Sequence, residues 1–431
     1  GQEHVRGFGV TDTRHPLPVD GNTLFRIGST SKTFTGTAAM RLVDSGQLDL
    51  DSEVTRYLPG FRAPAGAQNV TVRQLLNHSA GWLGDYFYDT GRGWDALPKY
   101  AARMAALPQL TPAGSVFAYN NAAITLAGEV IGQITGTTYE YAMRELLLRP
   151  LGLGHTFYFS DEIIGCGVAA PHVIVNGRAK VMPEVWQLPR SINPAGGLMS
   201  SAADQLRWAR FHLGDGCAPD GTRVLPRGAL EAMRSHPGPG GTLIVELTGM
   251  GVTWMLRPSA QGTQIVQHGG HWTGEVSGLL LVPEQGFAMT VLTNCESGSS
   301  LVNELFADDV ALAMFTGLTN LPARQRSLSP ADLAPYLGRY TRQQVGSAGR
   351  LVDEAPGTMT AHGGGLLLTT GAGATASRVL LTFYDSPSGS GYVLVNKSDG
   401  TPLGTRADFI RDRAGQVRWL RLGGRLHGHQ I

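Results

Sequence analysis

A serine and a lysine lie three residues apart at the start of a segment with helical spacing. They are Ser29 and Lys32, and the helix predicted after them spans residues 33 to 44. Side chains three residues apart share one face of a helix, so the two groups can meet. A serine hydroxyl is a weak nucleophile until a base takes its proton, and a lysine whose pKa is lowered by burial at a helix start can help. The pair predicts nucleophilic catalysis, although the same spacing also occurs at solvated helix starts.

Two further motifs follow in chain order. Tyr119 and Asn121 stand just before a long predicted helix, and His268, Gly269 and Gly270 lie on a predicted strand. Each has an ordinary structural interpretation, as a core aromatic, a helix cap and a strand end. A two-step acyl transfer needs a nucleophile, a proton shuttle and an oxyanion hole. The motifs taken together therefore favour acyl transfer.

The elements that must position these residues change in type along the chain. Short strands are predicted at 5–10 and 24–27, helices between 33 and 212, and closely spaced apolar strands between 251 and 294. A closing helix is predicted at 301–315. Strands this apolar indicate an antiparallel sheet buried on both faces. We predict an α+β fold in which helices sandwich this sheet, and we expect the sheet to join both ends of the region.

The C-terminal hundred residues have a different pattern, with short strands separated by Gly, Asp and Ser turns. The predicted strands are 337–341, 366–369, 379–384, 392–395, 407–410 and 417–422. Their even spacing predicts a small β-barrel, and it contains no catalytic constellation. We therefore predict one domain over residues 1–317, a linker over 318–333 and a barrel domain over 334–431.

The order and spacing of the three motifs resemble the serine β-lactamase and penicillin-binding-protein superfamily, most of all its class C β-lactamase, DD-peptidase and esterase branch. The resemblance covers residues 5 to 315. Supporting segments are LLNHSAG at 75–81, PAG at 112–114, PAGGL at 194–198, and Gly274. The resemblance implies the β-lactamase/transpeptidase-like fold. It also implies a helix and a strand before Val5, which we expect to have been removed or replaced at the sheet edge by another segment.

The resemblance also implies a role for each motif residue. Ser29 would be the nucleophile that forms the acyl-enzyme, and Lys32 and Tyr119 would exchange its proton. Asn121 would hydrogen-bond the substrate amide and Lys32.

The predicted strand that carries the third motif would bind the acyl part of the substrate edge-on, as an added strand. The oxyanion hole would combine the backbone N–H of Ser29 with that of Trp272 or a residue close to it. β-Lactamases of this class normally have Lys-Thr-Gly where this chain has His268, Gly269 and Gly270. A mostly neutral histidine removes a fixed positive charge that would pair with a substrate carboxylate. This departure favours peptidase and esterase members.

The predicted barrel resembles the lipocalin-like domain of some peptidases and of the penicillin-binding-protein-type thioesterases that cyclise nonribosomal peptides. The likeness rests on architecture and on the LGRY start at 337–340. Such a barrel would cap or narrow the cleft, and so limit substrates or exclude water.

The leading hypothesis is a serine hydrolase that forms an acyl-enzyme on small peptides, with a D-residue at the acyl side, or on esters. Alternatives are a thioesterase-type peptide cyclase, a β-lactamase, and a non-catalytic module that binds peptidoglycan or β-lactams. A cell-wall substrate would place the protein outside the cytoplasm and a cyclase role inside it. The compartment and the oligomeric state stay open.

Composition excludes several other classes. Across 431 residues the net charge is +1, with lysines and arginines scattered rather than clustered, so nucleic acid is not an expected partner. The sequence has no apolar run long enough to span a bilayer. It has no metal-ligand spacing, and we expect no metal or cofactor.

Overall fold

The computed structural model describes residues 2–64, 69–182, 188–306, 310–354, 356–371, 373 and 376–430. The α-helices in these ranges are α1 (Ser31–Asp44), α2 (Val54–Tyr57), α3 (Val72–Leu76), α4 (Ala96–Arg103), α5 (Asn121–Thr135), α6 (Tyr139–Met143), α7 (Asn193–Gly196), α8 (Ala202–Leu213), α9 (Arg227–Ser235), α10 (Gly298–Phe306), α11 (Val310–Thr316) and α12 (Pro330–Leu333).

The strands of the first 300 residues are β1 (Phe25–Arg26), β2 (Thr156–Phe157), β3 (His172–Val175), β4 (Arg178–Val181), β5 (Met199–Ser200), β6 (Gly241–Thr242), β7 (Glu246–Leu247), β8 (Gly249–Met250), β9 (Met255–Pro258), β10 (Gln264–Trp272), β11 (Glu275–Val282) and β12 (Phe287–Thr293). Those that follow are β13 (Arg324–Gln325), β14 (Gly338–Thr341), β15 (Gln343–Val345), β16 (Leu351–Asp353), β17 (Gly357–His362), β18 (Gly365–Thr370), β19 (Ser377–Asp385), β20 (Tyr392–Lys397), β21 (Pro402–Arg411), β22 (Val417–Leu422) and β23 (Arg425–Gln430).

The main sheet is antiparallel, with the described strands in the order β12-β11-β10-β9-β8. Helices α8 and α10 pack against β11, and α8 also packs against β12. Every residue of β11 is buried, as its apolar sequence predicts, whereas every residue of β12 is only half-buried. The α+β prediction is confirmed, and burial on both faces holds for β11 but not for β12. The predicted closing helix is divided into α10 and α11, and residues 307–309 lie outside the described residues.

The N-terminal strands differ from the prediction. Residues 5–10 contribute one isolated bridge, Val10 to Pro18, and β1 pairs with β5 in a separate small sheet that also contains β2. The expectation that the main sheet joins both ends of this region was therefore wrong for the described residues. The physical reason is exposure, because the Phe8 side chain is 74% exposed and so offers no buried face to hold a strand.

The predicted barrel is confirmed. In the described part of the chain, β14 and β17 to β23 form an up-and-down antiparallel sheet of eight strands that closes where β14 pairs with β23. Its core contains Tyr336, Tyr340, Phe383 and Phe409. β17 and β23 were not predicted, because their sequences alternate apolar with polar or glycine residues and have no apolar run. In the predicted linker, β13 pairs with barrel strand β19.

Buried charge pairs join the barrel to the rest of the molecule. Arg421 pairs with Asp408 inside the barrel and donates a 2.6 Å hydrogen bond to the Phe117 carbonyl. Glu246 of β7 pairs with Arg406. The Glu246 carboxylate also accepts hydrogen bonds from Tyr384, Ser386 and Ser388. Because a buried charge without its partner is costly, these contacts hold the barrel against β7 and against the segment that precedes α5.

Candidate active site

Ser29 lies in a 3-10 turn, Gly28–Thr30, that leads directly into α1. The helix is anchored from beneath, because Phe34 stacks on Trp208 with ring centres 3.9 Å apart. Lys32 is fully buried, and its Nζ donates to Ser29 Oγ at 3.0 Å and to the Ala195 carbonyl at 2.6 Å. Burial lowers the pKa of Lys32 well below its usual value. The predicted pair therefore meets, and the lysine environment favours the neutral amine.

Tyr119 lies beside this pair. Its ring centre lies 5.0 Å from Lys32 Nζ. Burial raises the pKa of Tyr119 to about 12, although the Ser29 side chain lowers this pKa in part. The backbone N–H of Tyr119 donates to the Gly424 carbonyl at 2.8 Å, so a barrel residue helps to fix this tyrosine.

Asn121 is the first residue of α5, whose N-cap is Asn120. The Asn120 side chain accepts the Ala123 N–H at 2.7 Å, which starts the helix at this point. The Asn121 amide donates to Asp85 Oδ1 at 2.9 Å. Lys32, the second partner expected for Asn121, instead contacts Ser29 and a backbone carbonyl.

His268 is buried in β10, with its ring centre 6.3 Å from that of Tyr119. Its Nδ1 lies 2.7 Å from the Gly269 carbonyl oxygen, an acceptor, so Nδ1 carries the proton and Nε2 is left as an acceptor. Burial, and then the charge of Lys32, lower the pKa of His268 to about 3. The ring is neutral near pH 7.

The register of β10 decides which backbone groups face the site. A two-residue turn joins β10 to β11, and Trp272 and Glu275 pair across it. Residues that flank such a turn bond to each other, and N–H groups then alternate in direction along the strand. The N–H of Trp272 therefore points to β11, and those of Gly269 and His271 point away from it. Gln264 has the same orientation as Trp272, so its N–H also points to β11 and it forms no hydrogen bond with the residue opposite it on β9. That residue is Pro258, which has no N–H to donate.

Among the described residues, no strand pairs with the outward edge of β10 where it passes Ser29, so this edge is open there. Pairing with β9 ends at Gln267, so Gly269 and His271 lie beyond it. A Cβ built on Gly28 would lie 2.8 Å from the His271 nitrogen, which shows how closely the serine turn approaches this edge. The backbone N–H beside Ser29 is therefore that of His271, one residue before Trp272, where the prediction was Trp272 or a residue close to it.

The site opens into a cavity of about 550 Å³. Except for Lys32, which is buried beneath it, every predicted site residue lines this cavity: Ser29, Tyr119, Asn121, His268, Gly269, Gly270 and Trp272. Apolar side chains form much of the remaining wall, among them Phe87, Leu243, Ile244, Val302 and Phe306. Gly423 and Arg425 of the barrel also line it. The barrel thus forms part of the cavity wall.

Sequence reasoning missed Asp85 and Arg425. The Arg425 guanidinium lies 4.6 Å from the centre of the Tyr119 ring and pairs with Asp85. Neither residue belongs to a local motif. The one sequence signal is the pair of glycines before Arg425, which predicts a turn but no contact with a distant site.

Comparison with known proteins identifies the family. The model of the family Beta-lactamase matches residues 1–313. The chain belongs to this family. Penicillin-binding protein 4 of Amycolatopsis lactamdurans is 34% identical to it over 347 residues, which cover 80% of this chain and 91% of the relative.

Two solved structures extend the comparison. SurE aligns with 98% of this chain and 91% of its own, at 27% identity and a TM-score of 0.75, and it has also been solved with D-Leu. A D-stereospecific amidohydrolase from Streptomyces sp. aligns with 72% of this chain and 93% of its own, at 26% identity and a TM-score of 0.51. The alignment with SurE extends over the barrel as well as the family domain.

Within the described ranges, no group of three or more His, Cys, Asp or Glu side chains could hold a metal ion. None of the helices in those ranges has the length and apolar character needed to cross a membrane.

Proposed function

We propose that this protein is a serine hydrolase that forms an acyl-enzyme on Ser29 with small peptides, of D-amino-acid peptidase or carboxypeptidase type, or with esters. The observation that carries the proposal is the 3.0 Å contact between Lys32 Nζ and Ser29 Oγ, made by a fully buried lysine. Burial favours the neutral amine, which can accept the serine proton as the oxygen attacks.

The proposed reaction has two steps. Ser29 Oγ attacks the substrate carbonyl carbon and its proton passes to Lys32. Tyr119 donates a proton to the departing amine or alkoxide, and Lys32 then restores the proton of Tyr119. Water next attacks the acyl-enzyme and gives a proton to the same pair, which returns a proton to Ser29 Oγ as the acid leaves. The N–H groups of Ser29 and His271 would hold the oxyanion in both steps.

The open edge of β10 supports a peptide substrate. An extended acyl group can pair with the outward N–H and C=O groups of Gly269 and His271, as an added strand. Asn121 lines the cavity beside this edge, where its amide oxygen can accept the substrate N–H. A D-residue at the acyl side is supported by the likeness to the D-stereospecific amidohydrolase and to SurE, which has been solved with D-Leu.

Attack by an amine instead of water is the second candidate, which would make the protein a peptide cyclase. It is favoured by the barrel, because Gly423 and Arg425 line the cavity and narrow access to the acyl-enzyme. Action on β-lactam acids is disfavoured, since the buried neutral His268 supplies no charge for their carboxylate.

Intact mass spectrometry tests the proposal. The protein is incubated with a fluorophosphonate and, separately, with D-Ala-D-Ala peptides, p-nitrophenyl esters, peptidyl thioesters and a chromogenic β-lactam, beside Ser29→Ala. We expect one stoichiometric phosphonyl adduct that is absent from Ser29→Ala, and turnover of a peptide or ester. Linear and cyclic products of a thioester differ by one water and separate hydrolase from cyclase. No adduct in folded protein would leave a non-catalytic binding module.

A further inference from the structure

We propose, building on the proposed function, that Arg425 and Asp85 form a positioning pair through which the barrel fixes Tyr119 and Asn121 and sets the charge around Lys32. Arg425 follows the turn between β22 and β23. Its Nε and Nη2 donate to the two Asp85 oxygens at 3.1 and 3.3 Å. The pair therefore joins the last barrel strand to the catalytic domain at the site itself.

Each member of the pair touches one residue of the proposed machinery. The Arg425 guanidinium lies 4.6 Å from the Tyr119 ring centre, a cation–π distance, and the neighbouring Gly424 carbonyl accepts the Tyr119 N–H. The Asp85 carboxylate accepts the Asn121 amide at 2.9 Å. Loss of either charge would therefore loosen a residue that contacts Ser29 or lines its cavity.

Asp85 stays ionised although it is only 5% exposed. Burial raises the pKa of its carboxyl, but Arg425 and then Arg342 outweigh burial and hold that pKa below its usual value. Arg342 lies 3.7 Å from Asp85 and also pairs with Glu354. Two carboxylates, Asp85 and Glu354, and two guanidinium groups, Arg342 and Arg425, therefore lie together. Removal of one of them leaves an excess of the opposite charge in a partly buried place.

The pair acts on Lys32 through charge. Burial is the main cause of the lowered pKa of Lys32; Arg425 lowers this pKa further, and Asp85 raises it. The other titratable groups that interact with Lys32 or contact it are neutral near pH 7. They are His78, His268 and Tyr119. Arg425 and Asp85 are thus the charges through which the barrel can alter the lysine.

Direct titration of Lys32 tests this proposal without reference to activity. The sequence contains four lysines, Lys32, Lys99, Lys180 and Lys397, so [13Cε]lysine NMR resolves few signals, and Lys32→Arg identifies the one of interest. Arg425→Gln removes a positive charge that lowers the pKa of Lys32 and takes the nearer arginine partner from Asp85, so this pKa should rise by about one unit. Asp85→Asn should lower it. Arg425→Lys should keep it near the wild-type value.

Arg406→Gln is the matched control. Arg406 is also a buried barrel arginine that pairs with a carboxylate of the other domain, Glu246, but it does not line the cavity. Its loss should leave the Lys32 titration unchanged. If Arg425→Gln does not fold, the double variant with Asp85→Asn removes both charges, and Lys32 should have a higher pKa in it than in Asp85→Asn alone. Equal Lys32 titrations in wild type, Arg425→Gln and Asp85→Asn would overturn the proposal.

The pH dependence of Ser29 phosphonylation separates this inference from the proposed function. The rate should rise as Lys32 loses its proton, so the acid limb should move to higher pH in Arg425→Gln and to lower pH in Asp85→Asn. A purely structural role would slow both variants without moving the limb in opposite directions. Shifted lysine titrations with no phosphonylation would refute the serine hydrolase alone. Phosphonylation with unshifted titrations would refute the positioning pair alone.

Discussion

Replacement of Gly28 by alanine tests whether the serine turn and β10 together form the proposed oxyanion hole. Gly28 has a φ of +48°, and a Cβ built on it would lie 2.8 Å from the His271 nitrogen and 2.9 Å from the His271 oxygen. A side chain in this left-handed region costs about 1–2 kcal/mol. Contacts this short with backbone atoms also force β10 and the serine turn apart. The variant should therefore lose both stability and the alignment of two N–H groups.

Gly46→Ala separates these two effects. Gly46 has a φ of +74°, but no described atom lies within 4 Å of a Cβ built there. We expect Gly46→Ala to lower the free energy of unfolding by about 1 kcal/mol and to leave Ser29 phosphonylation unchanged. Gly28→Ala should lose at least as much stability and slow phosphonylation about 100-fold, or about 2.7 kcal/mol of transition-state stabilisation, as expected when one oxyanion donor is lost.

Urea unfolding, monitored by tryptophan fluorescence, gives the free energy of unfolding of both variants. Intact mass spectrometry at successive times gives the phosphonylation rate. Both are measured in protein shown to be folded at the assay temperature. If Gly28→Ala reacts with fluorophosphonate as fast as Gly46→Ala, the His271 N–H is not an oxyanion donor and the register argument fails.

Three further outcomes are expected. Burial lowers the pKa of His212 and of His268 to about 3, so below pH 6.5 the unfolded chain binds protons that the native protein does not. The free energy of unfolding should therefore fall as the pH drops from 6.5 towards 3, and urea titrations of His212→Gln should show a shallower slope; an unchanged slope would contradict this. Trp208→Ala removes a fully buried ring and should lower the free energy of unfolding by about 3–5 kcal/mol, with a smaller loss in Trp208→Phe. Asn121→Asp places a second carboxylate against Asp85 and should slow phosphonylation more than Asn121→Ala does; equal rates would argue against that contact.

The proposed catalytic residues could be predicted because they lie in short motifs. Ser29 and Lys32 meet through helical spacing, and Tyr119 and His268 were found through the order of the family motifs. Arg425 was not predictable, because nothing near it in sequence distinguishes it from the other arginines and its partner, Asp85, lies 340 residues away.

The strands, like the site residues, fall into those that a local sequence pattern predicts and those that it does not. Strands with a continuous apolar run, such as β11, were predicted from that run. β17 and β23 were missed because polar residues and glycines interrupt their apolar residues. The sequence could not distinguish His271 from Trp272 as the proposed oxyanion donor, because the direction of an N–H depends on turn length. The length of the turn between β10 and β11 becomes known only when the Trp272–Glu275 pairing is seen.

The position of Arg425 on β23 has a consequence for protein synthesis. A ribosome adds about 5–20 residues per second, so it adds Ser29 and Lys32 roughly 20–80 s before it adds Arg425. The barrel cannot close until β23 pairs with β14, the first strand of the closed sheet. A nascent chain would thus contain Ser29 and Lys32 before the positive charge of Arg425 can pair with Asp85 beside them. Full reactivity would begin only when translation has passed the last barrel hairpin.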